Sequence, residues 1–222
     1  MKNIGSMFKS LVSPTEAMRE VDENPSPWAP FWFVVLFALV VFLLTFSLNK
    51  VEIIRQATER VKDLPPEQRE AAMKTLRPGI MMLYGFLGVI VTVPLKMLIQ
   101  AVIFQRFLPL VGGEAPFSKV LTAVTFANFI STLGNLVKVP VMLLSKTAEV
   151  HFDLSLLLGN PETKGYLYRL FTQIDFFTIW SLIVLGIGLS VTGKVERNKA
   201  YQVTFGLWLL YILLIPLLPF RR

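Results

Sequence analysis

The sequence predicts an all-α membrane protein, a five-transmembrane-helix bundle preceded by a short N-terminal amphipathic segment. Three observations carry that prediction. The 222-residue chain is 54% hydrophobic but only 17% charged, and its mean hydropathy is +0.59. A soluble domain of this size could not enclose so much apolar surface, whereas a bilayer solvates it directly. Five separate apolar runs are long enough to cross about 30 Å of hydrocarbon at about 1.5 Å per residue. Charged residues and tryptophans, finally, gather where those runs end, as membrane interfaces require.

Residues 1–28 form the N-terminal segment. Ile4, Met7, Phe8, Leu11 and Val12 recur at helical spacing beside Lys2 and Lys9, the pattern of a helix lying in the headgroup plane. Ser13-Pro14-Thr15-Glu16 reads as a capping box with proline at the first helical position. The helix it starts should run to about Glu23, where Asn24-Pro25-Ser26-Pro27 breaks it. No apolar stretch before Trp28 has the length of a cleavable signal, so the first long run should remain as an anchor.

The transmembrane domain occupies residues 29–220, with spans over Ala29–Leu48, Ile80–Phe107, Lys119–Leu144, Ile174–Thr192 and Ala200–Phe220. Trp28 and Trp32 mark the interface at the start of the first, which is apolar all round and reads as lipid-exposed. The second carries Gly85, Gly88 and then Pro94 and Lys96, so a kink near its middle is expected. In the fourth, Gly186 and Ser190 stand four apart, a helix-packing spacing that lets backbones approach closely. Of the connections, 49–79 is the long one. It holds helical ion pairs such as Arg55–Glu59 and Glu70–Lys74, and Pro65-Pro66 divides it into two short helices. A turn is expected at Gly112-Gly113. Between the third and fourth spans, Val150, Phe152, Leu154 and Leu156 alternate with polar residues, a period-two signal for a short strand or an extended interfacial segment before a turn at Gly159-Asn160-Pro161.

Composition narrows the chemistry. Cysteine is absent and His151 is the single histidine, so no thiol nucleophile, disulfide framework or cysteine–histidine metal site is available. No Ser/His/Asp arrangement, HExxH, phosphate loop or intramembrane carboxylate pair occurs, and Asp153 beside His151 reads as a solvated neighbour. The sequence therefore predicts no enzyme, no cofactor and no metal. The formal charge of +7 could point to nucleic acid. Its lysines and arginines mostly flank apolar runs, however, so membrane lipids are the expected partner and nucleic acid is not.

One constellation stands out. Asn128, Ser131, Asn135 and Lys138 fall within an arc of about 80° on the third span, at about 100° per residue. Lys96 on the second span lies level with Asn128, while Lys138 lies near enough to Asp175, at the mouth of the fourth span, for an ion pair. Two readings fit. The stripe and the lysines form a polar site for an anionic headgroup or substrate. Alternatively, the asparagines and serine join helices while the lysines snorkel to the headgroups. Asp175 also suits the positive end of its helix dipole without any chemical task.

These residues resemble a known family. Phe8, Ser13-Pro14, Pro25 and Trp28, the Gly112-Gly113 turn with Phe117, Asn128 and Pro140, and above all Ile174-Asp175-Phe176-Phe177-Thr178-Ile179-Trp180 followed by Gly186-Ile187-Gly188-Leu189 resemble the bacterial branch of the Yip1 domain family. Lys199-Ala200 and Gly206-Leu207-Trp208 extend the likeness. It implies five transmembrane helices and a cytosolic N-terminus. Eukaryotic relatives bind Rab GTPases through a long cytosolic region that this chain does not offer before its first span, so that role is not carried over. The positive-inside count opposes the implied orientation: eight basic residues lie on the N-terminal side and twelve on the other. The resulting expectation is a non-enzymatic, membrane-organising or scaffold protein of the bacterial inner membrane. Homo-oligomers or other membrane proteins would be its partners beside lipid. The alternative is a small transporter or lipid translocator that uses the stripe on the third span.

Overall fold

A computed structural model describes residues 3–62, 64–75, 77–147, 150–158, 165–214 and position 217. Among these the chain is all-helical: α1 (Ile4–Lys9), α2 (Pro14–Glu23), α3 (Trp28–Arg60), α4 (Pro66–Thr75), α5 (Pro78–Phe107), α6 (Phe117–Ser145), α7 (Tyr166–Phe171), α8 (Phe176–Gly193) and α9 (Arg197–Leu214). Short 3₁₀ turns at Leu108–Val111 and Leu154–Leu158 complete it.

The bundle is built around α6. Every residue from Val120 to Ile130 is buried, and a helix covered on all sides must be central. It is enclosed by α3, α5 and α8. Small residues set how closely α8 can come. A Cβ added at Gly188 would lie 2.7 Å from the Ala123 Cβ of α6, and one at Gly134 would meet the Phe177 ring. On the far face of α8, Gly186 sits against the Tyr201 ring of α9. Gly112, with φ of +81°, turns the chain from α5 into α6 as expected.

Among the described residues four helices are long and apolar enough to cross a membrane: Trp28–Glu59, Pro78–Val111, Phe117–Ser145 and Phe176–Gly193. The expected fifth is a helix too, but its described part is 18 residues long and opens with Arg197, Asn198 and Lys199, which lowers its hydropathy. The end of that predicted span lies outside the described residues.

Several expectations change in detail. The first span is one-sided, burying Phe31, Val34, Val35 and Leu39 while Trp32, Leu36, Val40 and Leu43 face outward. It also runs unbroken to Arg60, because nothing interrupts helical hydrogen bonding before Val61. The Pro65-Pro66 division thus separates α4 from a continuation of the span, while the Arg55–Glu59 and Glu70–Lys74 pairs form at 3.3 and 3.0 Å. α5 stays helical through Pro94. The period-two segment forms no strand among the described residues. With no second strand to pair with, it makes one bridge, Asp153 to Asp175, and then the 3₁₀ turn. The turn expected at Gly159-Asn160-Pro161 lies outside the described residues.

The N-terminal segment is attached to the bundle. α1 and α2 fold on one another and bury Met7, Ala17, Met18 and Val21. Met18 reaches Gly188 of α8, and the Phe8 ring meets Phe33 and Phe129 edge-on at 5.6 and 5.0 Å. The predicted capping box does not close. Ser13 precedes α2 but makes no side-chain cap, and Glu16 instead lies 3.1 Å from Lys9. Lys9 also binds Glu20 at 2.8 Å. That bond, with one from Ser6, holds the Glu20 carboxyl below its ordinary range. Lys119 of α6 pairs with Asp22, and Arg197 donates to the Thr15 hydroxyl at 3.2 Å.

Candidate functional site

The polar face of α6 is the candidate, and its four residues have separate fates. Asn128 is buried. Its amide donates to Gln100 Oε1 on α5 at 2.8 Å and to the Val124 carbonyl at 2.9 Å. Ser131 donates back to the Ala127 carbonyl at 3.4 Å, within its own helix. Asn135 is exposed and Lys138 half-buried. These two line a cleft of about 310 Å³ between α3 and α6, walled by Ala38, Val41, Phe42 and Met142 with Val150 at its edge. Above the cleft, toward the N-terminal side, the Phe37 and Phe129 rings meet at 5.9 Å and close the gap between the two helices. The stripe is therefore divided into a bonded half and an open half.

The lysines do not form the expected partnerships. Lys96 is exposed on α5, and the polar group that reaches Asn128 is Gln100, one helical turn further on. The Lys138–Asp175 pair does not form, because Asp175 serves the start of α8. Its oxygens accept from the Thr178 N–H at 2.9 Å and the Thr178 hydroxyl at 3.0 Å, the geometry of an N-cap. Among the described residues no carboxylate lies within salt-bridge distance of Lys96 or Lys138. Of the helix-packing pair, Gly186 admits Tyr201, while Ser190 donates to the Val195 carbonyl at 2.8 Å and so fixes the turn into α9.

Sequence reasoning missed Gln100, although its position four residues after Lys96 was a usable signal. It also took Asp153 for a solvated residue. Asp153 is buried, receiving the Ser155 N–H at 3.1 Å and lying 3.2 Å from His151 Nδ1. The Tyr168 hydroxyl lies 3.3 Å from His151 Nε2. The group ties the loop after α6 to α7. No set of three or more metal-ligating side chains occurs among the described residues.

Apolar helices packed around one buried helix, with polar groups bonded at mid-depth, define an integral membrane protein of the α-helical bundle class. The Yip1 domain matches residues 8–218, and the chain belongs to the Yip1 domain family. It is similar to the membrane protein YknW of Bacillus subtilis (strain 168), with 24% identity over 212 residues that cover 94% of this chain and 88% of that protein. No solved structure matches.

The Asn128–Gln100 bond yields a prediction. Asn128→Leu leaves the Gln100 amide unpaired inside the bundle, so it should destabilise the protein in detergent more than Gln100→Leu. The double variant should recover part of the loss, with a coupling of about 0.6 kcal/mol and at most about 1.7 kcal/mol. Strictly additive thermal shifts would show that the two amides do not depend on each other.

Proposed function

We propose that this protein is a non-enzymatic scaffold of the bacterial inner membrane that organises other membrane components through helix contacts. The observation that supports this most is the division of the α6 stripe. Asn128 spends its amide on Gln100 and Val124, and Phe37 against Phe129 closes the α3–α6 seam beyond the cleft. A conduction path needs polar groups that stay wet throughout the membrane, whereas these act as joints between helices. The outer face of α5 suits helix contacts. Leu83, Leu87, Val91 and Leu95 all point outward, and Gly88 between them has open space beside it.

The reading includes five spans. The stretch Val203–Leu214 of α9 is largely apolar, and the sequence continues so to Phe220. An odd number of spans puts the two ends of the chain on opposite sides, the N-terminal one cytosolic. The absence of cysteine makes single introduced cysteines readable without background. Val12→Cys, Glu114→Cys and Lys199→Cys should react with an impermeant maleimide from the cytosolic face, and Glu67→Cys and Leu157→Cys from the other. Labelling of positions 12 and 67 from the same face contradicts the five-span arrangement.

Transport is tested directly. Vesicles of phosphatidylcholine and phosphatidylglycerol containing the protein should move a labelled phosphatidylglycerol between leaflets no faster than empty vesicles do. A faster rate that falls with Lys96→Met or Asn128→Leu contradicts the scaffold reading and supports a translocator.

A further inference from the structure

We propose that the cleft between α3 and α6 holds one anionic phospholipid from the leaflet on the α4 side, with its phosphate on Lys138 and Asn135. Charge is the first argument. Lys138 is half-buried in a transmembrane helix, and among the described residues no carboxylate lies within salt-bridge distance of it. An ammonium in that position is costly unless an anion or water reaches it. Asn135 beside it is exposed and has no hydrogen-bond partner among the described residues, so its amide is free to donate to a phosphate oxygen. The Thr45 hydroxyl is not, being spent on the Val41 carbonyl at 3.0 Å.

Depth is the second argument. Lys138 stands seven residues before the end of α6 at Ser145, about 10 Å along the axis. A lysine stem shortens that distance, so the phosphate sits below the headgroup level, drawn in toward Asn135 three residues deeper on the same helix. Shape is the third. The cleft walls around and below the two polar groups are Ala38, Val41 and Phe42, with Met142 on the headgroup side of Lys138, an apolar surface fitted to part of an acyl chain. Its volume of about 310 Å³ is at the small end for ligand pockets, so the cleft takes one chain segment while the rest of the lipid stays in the bilayer. The Phe37 and Phe129 rings meet across the same seam at 5.9 Å on the inner side of the cleft. Phosphatidylcholine carries its own counter-charge beside the phosphate and should compete poorly. This site stands apart from the scaffold reading, whose support is the bonded level of Asn128.

The test uses the full chain in a zwitterionic detergent with equal amounts of phosphatidylglycerol and phosphatidylcholine, and native mass spectrometry counts what remains bound. One phosphatidylglycerol per chain should be retained. Lys138→Gln should weaken it about tenfold, the scale of one lost hydrogen bond to a charged group. Lys138→Arg should retain it, and so should Lys96→Gln, whose lysine lies outside the cleft. Because the arginine variant keeps the charge, its binding ties a loss in Lys138→Gln to that charge, and an unchanged thermal midpoint of Lys138→Gln in the same detergent shows that the loss is not unfolding. Equal retention of both lipids, unchanged binding in Lys138→Gln, or an equal loss in Lys96→Gln overturns the proposal. So does displacement by glycerol phosphate at the same concentration as the lipid, since the acyl chain would then contribute nothing.

Discussion

The rest of the structure depends on one constraint: α6 is enclosed from Val120 to Ile130, so each polar group on that stretch must find its partner without water. An unpaired amide in hydrocarbon costs several kcal/mol in principle, and the fold answers this residue by residue. The hydroxyls of Thr122, Thr125 and Thr132 return to carbonyls of their own helix, one turn back. Asn128 has donors beyond what its own helix can use, and it fixes the position of α5 by reaching Gln100. The arrangement around α6 follows from such local needs together with the small residues that let α8 approach. Gly188 against Ala123 and Gly134 against Phe177 bring α8 closer to α6 than larger side chains would permit.

The ends of the bundle obey the same rule by different means. On the N-terminal side α1 and α2 cover the helix ends, with Met7, Met18 and Val21 inside and the Lys9–Glu16–Glu20 cluster facing water. Exposed ion pairs of this sort contribute little, so buried methionine and valine hold the hairpin in place. On the opposite side, the buried Asp153 is bonded to Ser155 and His151, and Leu154 donates to the Ile174 carbonyl at 3.0 Å. That bond lies immediately before Asp175 begins α8. Asp153, which the sequence suggests is solvated, and Asp175, which it suggests for an ion pair, are thus both engaged in holding backbone, one in a loop and one at a helix start. Membership of the Yip1 domain family fits this picture of a membrane-embedded helical body.

Much of this was legible before any coordinates. Apolar run length located the four long helices, because lipid leaves the backbone no alternative to helix, but not the end of the first, which runs past Leu48 to Arg60. The stripe on α6 was legible from spacing alone. Its pairings were not, since spacing gives angle and depth but not which neighbour faces which side. Lys96 and Gln100 differ by one turn on α5, and only packing decides that Gln100 turns inward. Asp175 could equally reach a lysine or cap its own helix, and the nearer Thr178 N–H wins. The burial of α2 was hidden for another reason. Its apolar residues, Ala17, Met18 and Val21, form a stripe too short to distinguish a helix against the membrane from one against protein.

The most direct measurement is accessibility along the polar face of α6 in intact membranes. Single cysteines at 128, 131, 135 and 138 would be exposed to a small charged thiol reagent. Rapid reaction is expected at 135 and 138, from the α4 side only, and none at 128, which is buried; position 131, half-buried outside the cleft, should react more slowly than 138. Reaction at all four positions, with 128 reached as readily as 138, would show a continuous wet path through the bundle and contradict that expectation.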